Sequence, residues 1–351
     1  MLALRNDLPI HFHGNAVARK TELFDQPMDV QSGVKLPQFA VEIQFHVHSL
    51  TPARARGNRH MLIAVISRIP ELYANRRLQA AARERGADVH FIDPLAPFKQ
   101  GIAESLDAVI PRFGPIWQSQ GGAVLVKMQA CGAICLNTAE AVALARDKSA
   151  AMQVFGCLQL PMPPSVPGTA VSDYSSLVQL PFPFPMLIKE DASAGGWGIH
   201  RVEDAAAALA VMARLNSAGA RFTLQAFIAE AAGRDLRVFV CDGRVLAAMC
   251  RTAPPGEFRA NVRLGARVEA VIPDDTESAL ALAATAALGL TVAGVDLLRT
   301  RAGPLLLEVN AAPGFEALEA ATGQDIAGQM LDLLISRING QNRAVNNQII
   351  R

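Results

Sequence analysis

The sequence predicts a chain of mixed α/β and α+β class, and three observations carry that reading. Short apolar strands alternate with a helical stretch between Met61 and Pro111, a succession that builds a parallel sheet. Two hairpins follow in the second half, one turning on Asp242-Gly243 and one lying between Val292 and Asn310; the Asp-Gly pair is a strong short-range hairpin signal. Proline clusters at 160–167 and 181–185 stand between these regions, forbidding helix and holding the chain extended.

Taken in order, Met61–Ile66 (MLIAVI) is a buried strand, and 71–85 a helix with Leu72, Leu78 and Ala82 apolar and Gly86 at its stop;. Residues 89–92 and 108–111 are further strands, and 122–132 and 138–155 are helices, the second capped by Thr138;. Strand 186–189 leads to a loop holding Gly195, Gly196 and Gly198, then an alanine-rich helix over 203–215 and a strand over 222–228. Hairpin strands 236–241 and 245–251, a helix over 275–288, hairpin strands 292–298 and 305–310, and a last helix over 325–338 complete the pattern. The tail beyond 339 is polar and expected to fray. No internal repeat is present.

At 351 residues the chain holds about two or three domains at roughly 150 residues each;. It is 51% apolar and 19% charged, which excludes wholesale disorder;. Its 33 basic and 32 acidic residues leave a net charge of +1, with no general pull toward nucleic acid or an anionic membrane. Five scattered cysteines without a CxxC pair fit a reducing cytoplasm and argue against a disulfide framework or zinc ribbon. No long apolar span or signal pattern occurs, so a soluble cytoplasmic protein is expected. Residues 1–60 read as an extension, disordered or translated from an early start, ending in the basic run 52–59 before Met61. Their two H-x-H pairs, His11/His13 and His46/His48, could share a strand face and hold a metal, or be polar residues of a loose segment.

The sharpest constellation is Asp296 in VAGVDLL with Glu308 and Asn310 in LLLEVN. Two positions apart on a strand, Glu308 and Asn310 share a face. If Thr300 and Pro304 flank a three-residue loop, Asp296 lies opposite Glu308 with Cβ atoms about 5 Å apart. Such carboxylates repel unless a cation lies between them or one is protonated, and with an amide oxygen they form a hard-oxygen set suited to Mg²⁺ against phosphates. Lys189, ending a buried-type strand before Gly195, Gly196 and Gly198, offers phosphate a point charge and close backbone approach. Lys148 alone reads as a helix-surface charge. Gln225, Ala226, Phe227 and Ile228 form a strand end able to pair its backbone with an adenine, followed by Asp235 and Arg237 for ribose or phosphate; a plain sheet edge is the alternative. Arg251, Arg259 and Asn261 are donors for phosphate or carboxylate, with the last two alternating on one strand face, or they belong to a solvated edge.

In this order, Lys148, Lys189 with its glycine loop, Gln225, and Asp296…Glu308-x-Asn310 resemble the ATP-grasp superfamily. The finer resemblance is to RimK-type α-L-glutamate ligases, through Ser67-Arg68, Pro111-Arg112-Phe113-Gly114, Ala145-Arg146-Asp147-Lys148, Glu257-Phe258-Arg259-Ala260-Asn261 and Glu308-Val309-Asn310-Ala311-Ala312-Pro313-Gly314. It covers roughly Met61 to Ile338. The resemblance implies an ATP-grasp fold with an N-terminal pre-ATP-grasp α/β domain (61–147), a small lid domain (148–224) and a large domain bearing the metal site (225–340), with 341–351 a tail. It implies ATP and Mg²⁺ (or Mn²⁺, two ions) as cofactors and L-glutamate and a carboxylate acceptor as partners. Relatives form dimers and tetramers, so a homo-oligomer is expected. The implied reaction phosphorylates a carboxylate to an acyl phosphate that the glutamate amine attacks. In that scheme Asp296, Glu308 and Asn310 hold metal; Lys148, Lys189, the glycines, 225–228, Asp235 and Arg237 hold nucleotide; Arg251, Arg259 and Asn261 orient the reacting groups. Ala226 stands where an acidic residue is usual, Trp197 interrupts the glycine loop, and Thr252 replaces a basic residue. Three readings follow: a ligase acting on the C-terminus of a small-subunit ribosomal protein, a ligase acting on a pterin or deazaflavin cofactor, and an ATP-binding regulator without chemistry.

Overall fold

The computed structural model describes residues 60–97, 101–171, 173–191 and 197–349. The expectations for residues 1–59, both H-x-H pairs among them, and for Gly195 and Gly196 lie outside the described residues.

In chain order the elements are β1 (Met61–Ile66), α1 (Tyr73–Glu84), β2 (Ala87–Ile92), α2 (Ile102–Ser105), β3 (Ala108–Pro111), α3 (Gln118–Ala130), β4 (Ile134–Cys135), α4 (Ala139–Arg146) and α5 (Lys148–Cys157). There follow β5 (Ser165–Pro167), α6 (Tyr174–Val178), β6 (Met186–Glu190), β7 (Ile199–Val202), α7 (Ala205–Ser217) and β8 (Phe222–Ala226). The last third holds β9 (Arg234–Cys241), β10 (Arg244–Thr252), β11 (Arg267–Val271), α8 (Asp275–Ala287), β12 (Val292–Thr300), β13 (Gly303–Asn310), α9 (Glu316–Thr322) and α10 (Ile326–Ile349).

Three sheets result. β2-β1-β3-β4 is parallel, as the strand–helix–strand succession requires; β5-β8-β6-β7 and β11-β10-β9-β12-β13 are antiparallel. The parallel and five-stranded sheets share their cores: Ile66, Val109 and Leu125 lie in one apolar cluster with Val238, Leu280 and Val295. A second cluster joins Val65 and Leu78 to Phe239, Phe315 and Leu331. The small sheet buries a core of its own, including Met186, Ile188, Met212 and Leu224, so a cleft can open between it and the rest. α5 packs through Ala151 and Phe155 into the large shared core, and Gln225 and Ala226 sit on β8 of the small sheet.

The predicted helix over 138–155 is two helices. Thr138 caps the first, its Oγ1 accepting from Ala141 N at 3.3 Å, and Asp147 caps the second, accepting from Ala150 N at 3.0 Å. An aspartate with extended backbone supplies an acceptor to the orphan amides of a new helix, so Lys148 begins α5 and does not sit mid-helix. α10 runs on to Ile349, past the frayed tail expected after 339. Asn137 fastens β4 to the five-stranded sheet. Its buried amide donates to Val292 O (2.7 Å) and Ala311 O (2.9 Å) and accepts from Thr291 N (2.7 Å) and Val292 N (2.8 Å). Among the described residues no helix is long and apolar enough to cross a membrane.

Candidate active site

The site grows out of strand register. On β10, β9, β12 and β13, Arg251 pairs with Asp235, Arg237 with Asp296, and Asp296 with Glu308. Directly opposed residues project to the same face, and Asp235 and Arg237, two apart, share it. Five charged groups therefore stand in one patch. The opposition of Asp296 and Glu308 holds, but not through the three-residue loop. Thr300 pairs with Gly303 across a two-residue turn, and an irregularity after Asp296 leaves Leu307 unpaired, restoring the register lost at the turn;. Gly294 sits beneath this patch because a Cβ there would come within 2.7 Å of Pro313 Cβ and 3.2 Å of Arg237 Nη1.

Asp235, Arg237, Arg251 and Asp296 are all buried and neutralise one another. Arg251 clamps Asp235 through Nε (2.6 Å) and Nη2 (2.7 Å), and its Nη2 lies 2.9 Å from Asp296 Oδ2. Arg237 clamps Asp296 from the other side, Nη2 to Oδ2 at 2.7 Å, with Nε on Oδ1. Burial opposes the Asp296 charge, but Arg237 and Arg251 outweigh it and hold the carboxyl below its usual range. Asp235 is pushed up to about 6 by burial, relieved in part by Arg251 and worsened by Asp296. Against the expected roles, Asp235 and Arg237 are thus mutual braces of this network first, and any ribose contact of Asp235 is shared with Arg251.

Two adjoining cavities meet this patch. The larger, about 630 Å³, is lined by Lys148, Lys189, Gln225, Arg237, Arg251, Asn261, Arg263, Glu308 and Asn310. The smaller, about 80 Å³, is lined by Leu187, Ile199, Ala226, Phe227, Ile228 and Asp235, and shares Lys189, Gln225, Asn261 and Leu307 with the first. Residues spread over 160 positions of sequence are thus brought together, and the apolar smaller pocket at 225–228 suits a flat base. Lys148 Nζ donates to Glu190 O at 2.7 Å, and burial lowers its affinity for a proton, against Glu308, Asp191 and Glu190. Burial pushes Lys189 further, to about 8, with Lys148 adding to the effect and Glu308 and Asp296 opposing it. Among the described residues the Lys189 ammonium makes no hydrogen bond or ion pair. Two desolvated ammonium groups in one cleft form a site for polyanions.

Other expectations meet a different geometry. Residues 257–261 are not a strand: Arg259 curls back to Glu257, Nη2 to Oε2 at 2.7 Å, and Asn261 precedes a short 3₁₀ turn over 262–264. The alternating-face argument for Arg259 and Asn261 therefore fails, because Pro254-Pro255-Gly256 turns the chain out of β10, although both residues still reach a cavity wall. Gly198 has φ +67° and its carbonyl accepts from Glu190 N at 2.8 Å, closing the loop at the base of β6 and β7. Asp191 was not singled out from sequence. It is buried on the larger cleft; among the described residues neither carboxylate oxygen is hydrogen-bonded, Arg221 Nε lies 3.7 Å from Oδ2, and burial raises its pKa against the Arg221 charge.

As metal donors, the Glu308 carboxylate is exposed to the cleft and has no ion pair or hydrogen bond among the described residues, and Asn310 Oδ1 accepts among them only from Ala312 N at 2.9 Å. Asp296 is already engaged by two guanidiniums, so Glu308 and Asn310 are the accessible oxygens and Asp296 a shared one. The set fits a hard divalent cation.

Comparison with known proteins gives a consistent result. The family model described as RimK PreATP-grasp domain matches residues 61–142, and that described as RimK-like ATP-grasp domain matches 145–334. A probable alpha-L-glutamate ligase of Xanthomonas oryzae pv. oryzae (strain MAFF 311018) is 39% identical over 286 residues, covering 78% of this chain and 97% of that one. One from Parasynechococcus marenigrum (strain WH8102) is 40% identical over 293 residues, 80% of this chain and 63% of its own length. Among solved structures, D-cycloserine synthetase DcsG superposes with TM-score 0.63 at 20% identity, over 79% of this chain and 99% of that one. The ATP-grasp ligase PsnB complexed with a phosphomimetic variant of minimal precursor, Mg and ADP gives 0.62 at 20% identity, over 80% and 99%. At that identity these two establish the fold.

Proposed function

Because the chain belongs to the RimK-like ATP-grasp family, and is with it an ATP-dependent carboxylate–amine ligase, we propose that it adds L-glutamate to the C-terminal carboxylate of a small-subunit ribosomal protein in the cytoplasm. The observation that carries the reading is the meeting of Lys148, Lys189, Glu308 and Asn310 in one cleft beside an apolar pocket formed by 225–228.

In this reading ATP lies with its base in the smaller pocket and its phosphates between the lysines and Glu308. The acceptor carboxylate attacks the γ-phosphorus, giving ADP and an acyl phosphate. The glutamate amine then attacks the acyl carbon, forming the amide and releasing phosphate. Lys148 and Lys189 offset charge as it moves to the leaving group. Arg251, braced by Asp235, keeps Asp296 ionised and fixed behind Glu308. Glu308 and Asn310, with Asp296, would hold Mg²⁺, which supplies Lewis acidity and a template for the phosphates. Asn261 and the 257–261 segment would orient the reacting groups. For the acceptor, Arg263 lines the cleft, is exposed and forms no ion pair among the described residues; this supports an acidic protein tail.

The test is mass spectrometry of products after incubation with ATP, Mg²⁺, L-glutamate and a cell extract. A ribosomal protein extended by glutamyl residues at its C-terminus is expected. A glutamylated small cofactor would replace the acceptor, and ATP binding with no acceptor-dependent ADP would leave a regulator.

A further inference from the structure

Most arginines that the described fold withdraws from solvent have a carboxylate partner. Arg77 pairs with Glu319, Arg85 with Asp332, Arg237 and Arg251 with Asp296, and Arg259 with Glu257. Arg112 and Arg146 depart from this rule. Both are half-buried and line the larger cleft, and among the described residues no acidic side chain forms an ion pair with either of them. They are oriented by neutral groups alone. Arg112 Nη1 donates to Pro313 O at 2.7 Å, its guanidinium lies 5.8 Å from the Phe315 ring centre, and its buried Nε has no hydrogen-bond partner. Arg146 donates to Gln118 Oε1 at 2.6 Å and to Phe113 O, over the Phe113 ring at 4.4 Å.

The arrangement is costly. Burial lowers the pKa of both to about 10, and the charge of Arg112 adds to the effect at Arg146. A fold that aims two guanidiniums at one cavity without counter-charge is organised for an external anion, because planar, fork-shaped donors match carboxylates bidentately. Arg112 is tied to the Pro313–Phe315 turn that follows Asn310, and Arg146 to the α3–α4 side through Gln118 and Phe113; both come from the parallel-sheet unit.

We propose that Arg112 and Arg146 bind the two carboxylates of the incoming dicarboxylic amino acid and thereby select it over neutral amino acids. This rests on the glutamate-ligase reading: glutamate is the nucleophile there, its amine must be free, and its α- and γ-carboxylates carry the two negative charges that the pair lacks.

The test uses the full chain with Arg112→Gln, Arg112→Lys and Arg146→Gln, measuring KM for L-glutamate and for ATP in glutamate-dependent phosphate release, with calorimetric titration of L-glutamate and L-glutamine. The glutamate KM is expected to rise on the order of 100-fold in each Gln variant, the scale of a lost charge-assisted contact. The Lys variant should show a smaller rise, and the preference for glutamate over glutamine should narrow. The ATP KM should stay within about twofold, which also shows that the variants fold. An ATP KM rising in parallel would make these arginines phosphate ligands, and an unchanged glutamate KM would remove their role; either overturns the proposal while the ligase reading stands. If the wild-type chain neither binds glutamate nor needs it for turnover, the ligase reading itself falls, and the clamp with it.

Discussion

Replacing Lys189 by Met tests the cleft's electrostatics in the absence of any substrate. The ammonium sits half-buried beside Lys148, and burial has brought its pKa from 10.5 to about 8. At about 1.4 kcal/mol for each pH unit, this corresponds to about 3 kcal/mol of disfavoured charge; retained solvent contact reduces the effective cost to about 1–2 kcal/mol. The sign follows from proton linkage. Below pH 8 the folded and unfolded chains both carry the proton, and the folded state bears the whole cost. Between pH 8 and 10.5 the unfolded chain holds the extra proton, so the contribution of Lys189 to stability improves as pH rises;. Above that window both are neutral and the cost is gone. Lys189→Met should therefore be more stable than wild type to urea by about 1–2 kcal/mol at neutral pH, with the gain disappearing by pH 10.5, while its affinity for ATP falls. A variant less stable at neutral pH, or a difference that does not change with pH, would refute the reasoning.

Arg251→Met should destabilise the chain by about 3–5 kcal/mol in urea unfolding, since Asp235 and Asp296 would face each other without their shared cation; adding Asp235→Asn should restore part of the loss. Asp147→Ala should cost about 1 kcal/mol by removing the α5 cap and should raise the KM for ATP, because Lys148 is the first residue of that helix. Asn137→Ala should cost about 3 kcal/mol or more, read from the urea midpoint, because four backbone groups around 291–292 and 311 lose their partner.

The sequence made the strands legible where apolar runs were short and bounded. Met61–Ile66 and Ala108–Pro111 fall where expected, and Asp242 (φ +51°) and Gly243 (φ +68°) make the turn that their dipeptide signals;. The break at Asp147 was hidden because the alanine-rich periodicity continues through it, so only the capping side chain distinguishes two helices from one. The Asp296–Glu308 pair was reached through a loop one residue too long, and it survived because the bulge at Leu307 supplies the compensating residue. The buried network was beyond sequence reasoning. Arg251, Asp235, Arg237 and Asp296 become neighbours only once β10, β9 and β12 lie side by side, and strand order is set by packing across the whole sheet. The unpaired state of Arg112 and Arg146 is likewise a property of the cleft, since each looks like an ordinary surface charge in its local sequence.

The most direct test of the account is ADP formation dependent on both glutamate and acceptor, compared between the wild-type chain and Glu308→Ala. If Glu308 leads the metal donors as proposed, its loss should lower turnover by about 10³-fold or more, the rate equivalent of several kcal/mol of charge stabilisation. Undiminished turnover in Glu308→Ala would contradict it, since no phosphoryl chemistry could then be centred on the strand pair that carries Asp296 and Asn310.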